Sequence, residues 1–116
     1  PNACRDLGLL VAEFHTHVHR AFELRPKTIL KVLDKTDAFR RPERFERFQV
    51  ACEADARGRA RLDDRREEQA DQVSHALAAA AAIDAKSIAA ENRPAAIPRA
   101  IRRAREGAIA AFLKTN

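Results

Sequence analysis

The sequence lacks tryptophan, tyrosine and methionine, and its aromatic residues are six phenylalanines. Because much of the remaining apolar share is alanine, we expect a thin core between closely spaced helices. No apolar run reaches the roughly 18 to 20 residues of a membrane span, and no signal-like segment opens the chain. These absences predict a cytoplasmic protein without membrane contact, and 116 residues suffice for one domain.

Cysteine is also scarce, with Cys4 and Cys52 as the two examples. They lack the close spacing of a zinc or redox motif, and a cytosolic helical protein rarely joins such a pair. We therefore predict that both are packed and chemically inert.

Positive charge is in excess, with 22 Lys and Arg against 17 Asp and Glu, a formal net charge of +5 and a pI of about 9.9. This balance favours a polyanionic partner, although solubility alone accounts for a charge of this size. The location of the basic clusters is therefore more informative than their number.

The first half of the chain has the pattern of three helices. Apolar residues recur every three or four positions through residues 6–22, which is typical of one buried helix face. They are Leu7, Leu10, Val11, Phe14, Val18 and Phe22. Pro26 and Pro42 suit the first turn of a helix, where the amide hydrogen that proline lacks is unpaired anyway. The helix from Pro42 has the stripe Phe45, Phe48, Cys52 and Ala56, and Gly58 is a natural stop.

The second half begins with residues 61–68, which have no periodicity and are interpreted as a solvated connection or a slack helix start. An alanine-rich helix follows, then a short one around residues 85–90 and a final one whose start is bracketed by Pro94 and Pro98. The predicted buried stripe of the final helix is Ile97, Ile101, Ala104, Ala108 and Phe112. Since no segment alternates with the period of a strand, the predicted fold class is all-α, with five to six helices in a compact bundle-like array.

Three alternate histidines, His15, His17 and His19, are the first candidates for chemistry. His15 and His19 are one helical turn apart and can point at one metal ion, whereas His17 faces elsewhere. Helix histidines are more often packed or solvent-facing, and the residues alone favour that reading.

The string EADARGR contains two i,i+4 pairs of opposite charge, Glu53 with Arg57 and Asp55 with Arg59. Such pairs usually stabilise a helix surface by about 0.2 to 0.5 kcal/mol. The alternative is a role in ordering an RNA-facing surface or a metal cleft, for which Asp55, beside the buried stripe, is the better candidate.

Two arginine clusters are candidates for phosphate binding, because the guanidinium fork matches phosphate oxygens in two-point contacts. The first is Arg40, Arg41, Arg44 and Arg47, with lysines such as Lys27 on the preceding helix, but Glu43 and Glu46 are interleaved. A mixed-charge solvated face explains it as well. The second is Arg99, Arg102, Arg103 and Arg105, where Glu106 is the nearby acid.

The stretch RPKTILKVLDKTDAFRRPERFERFQVACEADARGR at residues 25–59, preceded by FHTHVHR at residues 14–20, resembles the C-terminal half of bacterial CCA-adding enzymes, the tRNA nucleotidyltransferases. Their longer forms carry a metal-dependent phosphohydrolase (HD) domain behind the catalytic head. The resemblance is specific over residues 10–58 and fades through residues 61–116. It implies that residues 1–60 are the C-terminal part of the HD domain and that residues 61–116 are an alanine-rich helical tail packed on it.

The resemblance implies a parent enzyme that adds the CCA end of tRNA from CTP and ATP in an N-terminal head that contains Mg²⁺. The family's His-Asp pair would precede Pro1, so His15 and Asp55 supply only part of a divalent metal site. Thr16 also stands where some members have aspartate. With no catalytic residue of its own, the fragment is expected to be inactive alone and to bind no cofactor.

The resemblance therefore favours a non-catalytic module that positions tRNA and packs against the N-terminal part of the same enzyme. The residues expected to contact RNA are Lys27, Arg40, Arg41, Arg44, Arg57, Arg59, Arg99, Arg102 and Arg103. Two alternatives stay open: part of a metal-dependent phosphatase or 2′,3′-cyclic phosphodiesterase, and a plain helical module that forms a homodimer.

Overall fold

The computed structural model describes residues 2–57 and 64–115, and within them the side chains of residues 5–54 and 68–115. It has six α-helices: α1 (Asn2–His19), α2 (Pro26–Lys35), α3 (Pro42–Arg57), α4 (Asp64–Ala81), α5 (Ala85–Glu91) and α6 (Ile97–Thr115). Two 3₁₀ turns, Ala21–Glu23 and Pro94–Ala96, follow α1 and precede α6. The described residues contain no strand, and the predicted all-α class is confirmed.

Helix boundaries follow the local chemistry of the sequence. Pro26 and Pro42 are the first residues of α2 and α3, as predicted. Asp84 caps α5: its carboxylate accepts a hydrogen bond from the Ser87 amide at 3.1 Å and another from the Ser87 hydroxyl at 2.6 Å. The predicted stop at Gly58 lies outside the described residues.

One boundary differs from the sequence prediction. The first helix ends at His19, and the Arg20 amide bonds to the His17 carbonyl three residues back, at 3.1 Å. This tighter winding takes Phe22 out of the predicted stripe, leaving it 44% exposed. In residues 61–68, the helix-start interpretation is the one that agrees with the structure, since α4 begins at Asp64, where acidic side chains favour a helix start.

The core is assembled from all three of the predicted N-terminal helices together with α4 and α6. Its largest fully buried side chains are Phe14, Ile29, Leu30, Leu33, Phe45, Phe48 and Ile109. Helix α4 contributes small buried residues, Val73, Ala76 and Ala80, which allow close approach to α1 and α6. The Cys52 side chain is buried in this core, as predicted, whereas the Cys4 side chain lies outside the described residues.

Helix α6 packs against both α2 and α4. Its buried face is therefore centred differently from the predicted stripe: Ile109, which is not in the stripe, is fully buried, whereas Ile97 and Ile101 are half-buried. A helix that packs against two neighbours buries residues over a wider part of its circumference than one apolar stripe covers.

The turn after α2 satisfies the last carbonyls of the helix. The Asp37 amide donates to the Asp34 carbonyl and the Ala38 amide to the Leu33 carbonyl, each at 3.0 Å. Asp37 has φ 57°, the left-handed conformation that this type of helix ending requires. Ala38 is buried beside Leu33, and the turn is thus fixed by both hydrogen bonds and packing.

Replacing Phe48, which is fully buried and lies 6.2 Å from the Phe45 ring, is expected to destabilise the fold. We expect Phe48→Ala to lower the free energy of unfolding by about 3 to 5 kcal/mol, because it removes buried apolar surface and leaves a cavity. Phe22→Ala is the matched control and should cost about 1 kcal/mol or less. Urea denaturation measures both, and equal losses would contradict the described core.

Candidate nucleic-acid interface

Three arginines of α6 form an exposed basic cluster. Arg99, Arg102 and Arg103 are exposed and lie within about one turn, so they share one side of the helix. None of the three makes an ion pair within 4 Å to a residue whose side chain is described. Their charges are therefore available to an external anion.

The same side of the molecule includes α2, because α2 and α6 pack together. We call their line of contact the α2–α6 seam; a pocket of about 340 Å³ opens along it. The pocket is lined by Leu30, Asp34, Pro98, Ile101, Arg102 and Arg105. Lys27, exposed, is three residues before Leu30 and so lies on the seam side of α2. The structure thereby brings Lys27 and Arg102, distant in sequence, to one surface.

The arginines after α2 are partly neutralised. In the turn described above, the Asp37 carboxylate lies 3.7 Å from Arg40 Nε and 3.9 Å from Arg41 Nε. Arg44, the next predicted contact, is half-buried on α3. Arg40 and Arg41 therefore offer less free positive charge than the cluster on α6, and Arg44 is less accessible than that cluster.

Three predicted positions cannot be placed. The side chains of Asp55 and Arg57, and the whole of Arg59, lie outside the described residues. Their assignment to RNA or metal stays a prediction.

The histidines of α1 have local partners. His15 Nδ1 donates to the Val11 carbonyl at 2.8 Å, and its ring meets the His19 ring edge-on at 6.0 Å between centroids. His17 faces elsewhere, as predicted, packing edge-on against Phe14 at 5.4 Å. His15 and His19 are thus neighbours on one face of the helix.

These side chains do not amount to a metal centre. Among the residues that the structure describes, no three His, Cys, Asp or Glu side chains are grouped so that they could hold an ion. A hard metal that performs hydrolysis needs several nitrogen and oxygen ligands. The described ligands do not fit such a metal, and we assign it no chemical step.

A second cleft, between α1, α3 and α4, has the opposite character. It has a volume of about 430 Å³, and its charged lining includes Glu46, Glu53 and Asp71 beside His19. Gln49 crosses it, donating to the Ala70 carbonyl at 3.1 Å and to the Ser74 hydroxyl at 2.6 Å. Carboxylates repel phosphate, so this cleft is a poor surface for a nucleic-acid backbone.

The sequence analysis did not single out Asp34, and it named Arg105 only as a member of the second arginine cluster. Both residues line the seam pocket. The Arg105 guanidinium carbon lies 3.8 Å from the centre of the Phe39 ring, a cation–π contact that holds the side chain half-buried. Partial burial raises the pKa of the Asp34 carboxyl above its ordinary value, and the positive charges of Arg102 and Arg105 offset part of that rise. The sequence signal was weak, because Asp34 looks like an ordinary residue near a helix end.

Curated relatives are found for most of the chain. The multifunctional CCA protein of Thioalkalivibrio sulfidiphilus is 56% identical over 91 residues, which are 78% of this chain and 22% of that protein. That of Nitrosococcus oceani is 54% identical over 90 residues, again 78% and 22%. That of Pseudomonas aeruginosa is 44% identical over 113 residues, 97% of this chain and 28% of the relative.

The similarity to CCA-adding enzymes that the sequence indicates is therefore confirmed. The chain spans about a quarter of the length of these relatives, which is consistent with a C-terminal segment. No protein-family model matches the chain, and no solved structure matches it. Within the described part of the chain, every helix is too short or too polar to cross a membrane.

The Asp34 carboxyl provides a pH-dependent prediction. Since its folded-state pKa is raised, its ionisation opposes folding once the pH exceeds the unfolded value, near 4. We expect Asp34→Asn to be more stable than the original chain at pH 7, and this gain to vanish as the pH falls below about 4. Urea denaturation of both proteins at pH 7 and below about pH 4 measures this difference in the free energy of unfolding.

Asp84 is the control with the opposite sign. Hydrogen bonds from Ser87 lower the pKa of the Asp84 carboxyl, so its ionised form supports folding at neutral pH. Asp84→Asn should therefore lose stability at pH 7, and the loss should disappear in acid. If Asp34→Asn is instead less stable than the original chain at pH 7, the attraction of the Asp34 carboxylate to Arg102 and Arg105 outweighs the cost of its partial burial.

Proposed function

We propose that this chain is the C-terminal part of a CCA-adding tRNA nucleotidyltransferase and that it helps to position tRNA. In this proposal a head preceding the chain adds the CCA end from CTP and ATP, and the α2–α6 seam carries the tRNA contact. The observation that carries the proposal is the similarity to multifunctional CCA proteins over most of the chain. The free arginines of α6 supply the matching chemistry.

The seam suits the backbone of a folded RNA. Arginine presents several N–H donors in a planar fork, and Lys27 adds a mobile point charge on the neighbouring helix. Folded RNA is recognised largely through its shape, its phosphates and its 2′-hydroxyl groups, because its deep major groove excludes side chains. The surface is therefore expected to recognise the arrangement of phosphates in the folded RNA more than the base sequence of its helices.

The remaining partners belong to the whole enzyme. Mg²⁺ in the head and a divalent metal in the HD domain are part of the proposal for the longer protein. The N-terminal part of that cytoplasmic enzyme would cover apolar surface on this chain. A groove of about 600 Å³ between α1 and α3, lined by Leu7, Val50, Ala51 and Ala54 among others, supports this contact, since Val50 is 67% exposed.

Neither alternative gains support. The phosphohydrolase alternative requires ligands beyond His15, and the described residues group no such set. A homodimer would use the same exposed apolar surface that the proposal assigns to the preceding part of the enzyme. Sedimentation of the chain separates these cases, because a stable dimer doubles the mass.

Binding of the chain to folded tRNA and to a mixed-sequence DNA duplex of similar charge, across a salt series, tests the proposal. We expect tighter binding to tRNA. Arg102→Gln with Arg103→Gln should weaken that binding and reduce the steepness of the plot of log affinity against log salt by about one unit for each arginine.

Arg40→Gln with Arg41→Gln is the charge-matched control. It removes the same formal charge, but Asp37 already offsets these arginines, so the loss of tRNA affinity should be smaller. Equal binding of the original chain to tRNA and DNA, or equal losses in the two double variants, would refute a specific role of the seam.

A further inference from the structure

The pocket on the α2–α6 seam has two kinds of surface. Pro98 and Ile101 supply accessible apolar surface beside the fully buried Leu30, and Asp34, Arg102 and Arg105 supply charge. Its volume of about 340 Å³ is at the lower end of the range of about 300 to 1,000 Å³ for small-molecule sites. A single flat ring system with one charged substituent is of this size class.

The charged groups of the pocket do not form ion pairs with one another within 4 Å. Neither the Asp34 carboxylate nor the Arg102 guanidinium makes a hydrogen bond or ion pair within 4 Å to any side chain that the structure describes. Arg105 is held by its stacking on Phe39, and its Nε is buried without an acceptor among the described atoms. A carboxylate and two guanidinium groups therefore stand side by side with hydrogen-bonding capacity left over.

A bare phosphate fits this set poorly. Asp34 would repel it, and the apolar wall would gain nothing from it. The pocket instead suits a ligand that combines a flat apolar face, adjacent N–H donors for the carboxylate, and acceptors for the arginines. Guanine has this pattern on one edge, with donors at N1 and at the 2-amino group and an acceptor at O6. Uracil has a single N–H between two carbonyl oxygens, both of which would face the carboxylate.

We propose that the pocket lined by Leu30, Asp34, Ile101, Arg102 and Arg105 binds an unpaired guanine nucleotide of RNA. The Asp34 carboxylate accepts from N1 and the 2-amino group, and the arginines donate to O6 and to the adjacent phosphate. The base lies on the apolar wall, in the manner by which proteins read unstacked bases in single-stranded RNA. This inference rests on the proposed function, since it gives the tRNA-binding seam one point of base recognition.

The ionisation of Asp34 agrees with such a role. The fold raises the pKa of this carboxyl, so its ionised form is less favourable in the folded protein than in the unfolded chain. A carboxyl with a raised pKa that lines a pocket beside two arginines is a candidate binding group.

Ten-nucleotide oligouridines with one central guanine, inosine or adenine, compared with plain oligouridine, test the inference. Inosine keeps N1–H and O6 but lacks the 2-amino group, so it removes one hydrogen bond to Asp34. We expect affinity to fall about tenfold from guanine to inosine, the effect of one hydrogen bond to a charged group. Adenine and plain uridine should bind more weakly still.

Asp34→Asn should abolish the preference for guanine over uridine, because an amide places a donor against N1–H or the 2-amino group. Arg99→Gln with Arg103→Gln is the control, since both arginines are exposed on α6 but neither lines the pocket. It should weaken all the oligonucleotides alike and keep their ratio. In methyl NMR spectra, GMP should shift the signals of Leu30 and Ile101 and leave that of Val50 in place.

The outcomes separate this inference from the proposed function. If the four oligonucleotides bind equally while Arg102→Gln with Arg103→Gln still weakens tRNA binding, the pocket does not read guanine and the seam still binds tRNA. If guanine is preferred but tRNA and duplex DNA bind equally, the pocket inference stands and the tRNA role fails. GMP binding as tightly as the oligonucleotide would overturn an RNA site in favour of a free nucleotide.

Discussion

The packing of α2 against α6 is the contact on which the candidate interface depends. Leu30 is fully buried there, and burying a leucine side chain contributes about 1.5 to 3 kcal/mol. Each helix packs its apolar side chains against the core, and its charged side chains start at the edge of that contact, along the seam. One helix from each half of the chain therefore contributes charged residues to one side of the molecule, with a pocket between the two helices.

The turn after α2 determines which arginines are free. Asp37 takes the left-handed conformation that closes the helix, and from that position its carboxylate lies beside Arg40 and Arg41. The same turn places Phe39 under the Arg105 guanidinium. One short turn thus partly neutralises Arg40 and Arg41 and anchors Arg105, because backbone closure, ion pairing and cation–π stacking all use residues within positions 37–41.

Charge is distributed unevenly over the described surface. The cleft between α1, α3 and α4 has three carboxylates in its lining, whereas the seam pocket has two arginines and one carboxylate. A polyanion is repelled from the first and attracted to the second, and the attraction falls with rising salt. The net charge of +5 conceals this contrast, since it sums both sides.

The sequence by itself determined the all-α class, the starts of α2 and α3 at their prolines, the burial of Phe14 and Cys52 and the similarity to CCA-adding enzymes. These follow from local chemistry: proline geometry, helical periodicity and recognisable strings of residues. Only the three-dimensional structure decided that Ile109 is buried, that Phe22 is exposed, that Asp37 partly neutralises Arg40 and Arg41, and that Asp34 joins Arg102 and Arg105 in one pocket. Phe22 and Asp37 depend on the backbone conformation of two turns, which helical periodicity does not reveal. Ile109 and the pocket depend on which neighbour a helix face meets, and pairings between residues some seventy positions apart leave no mark in the local pattern of either helix.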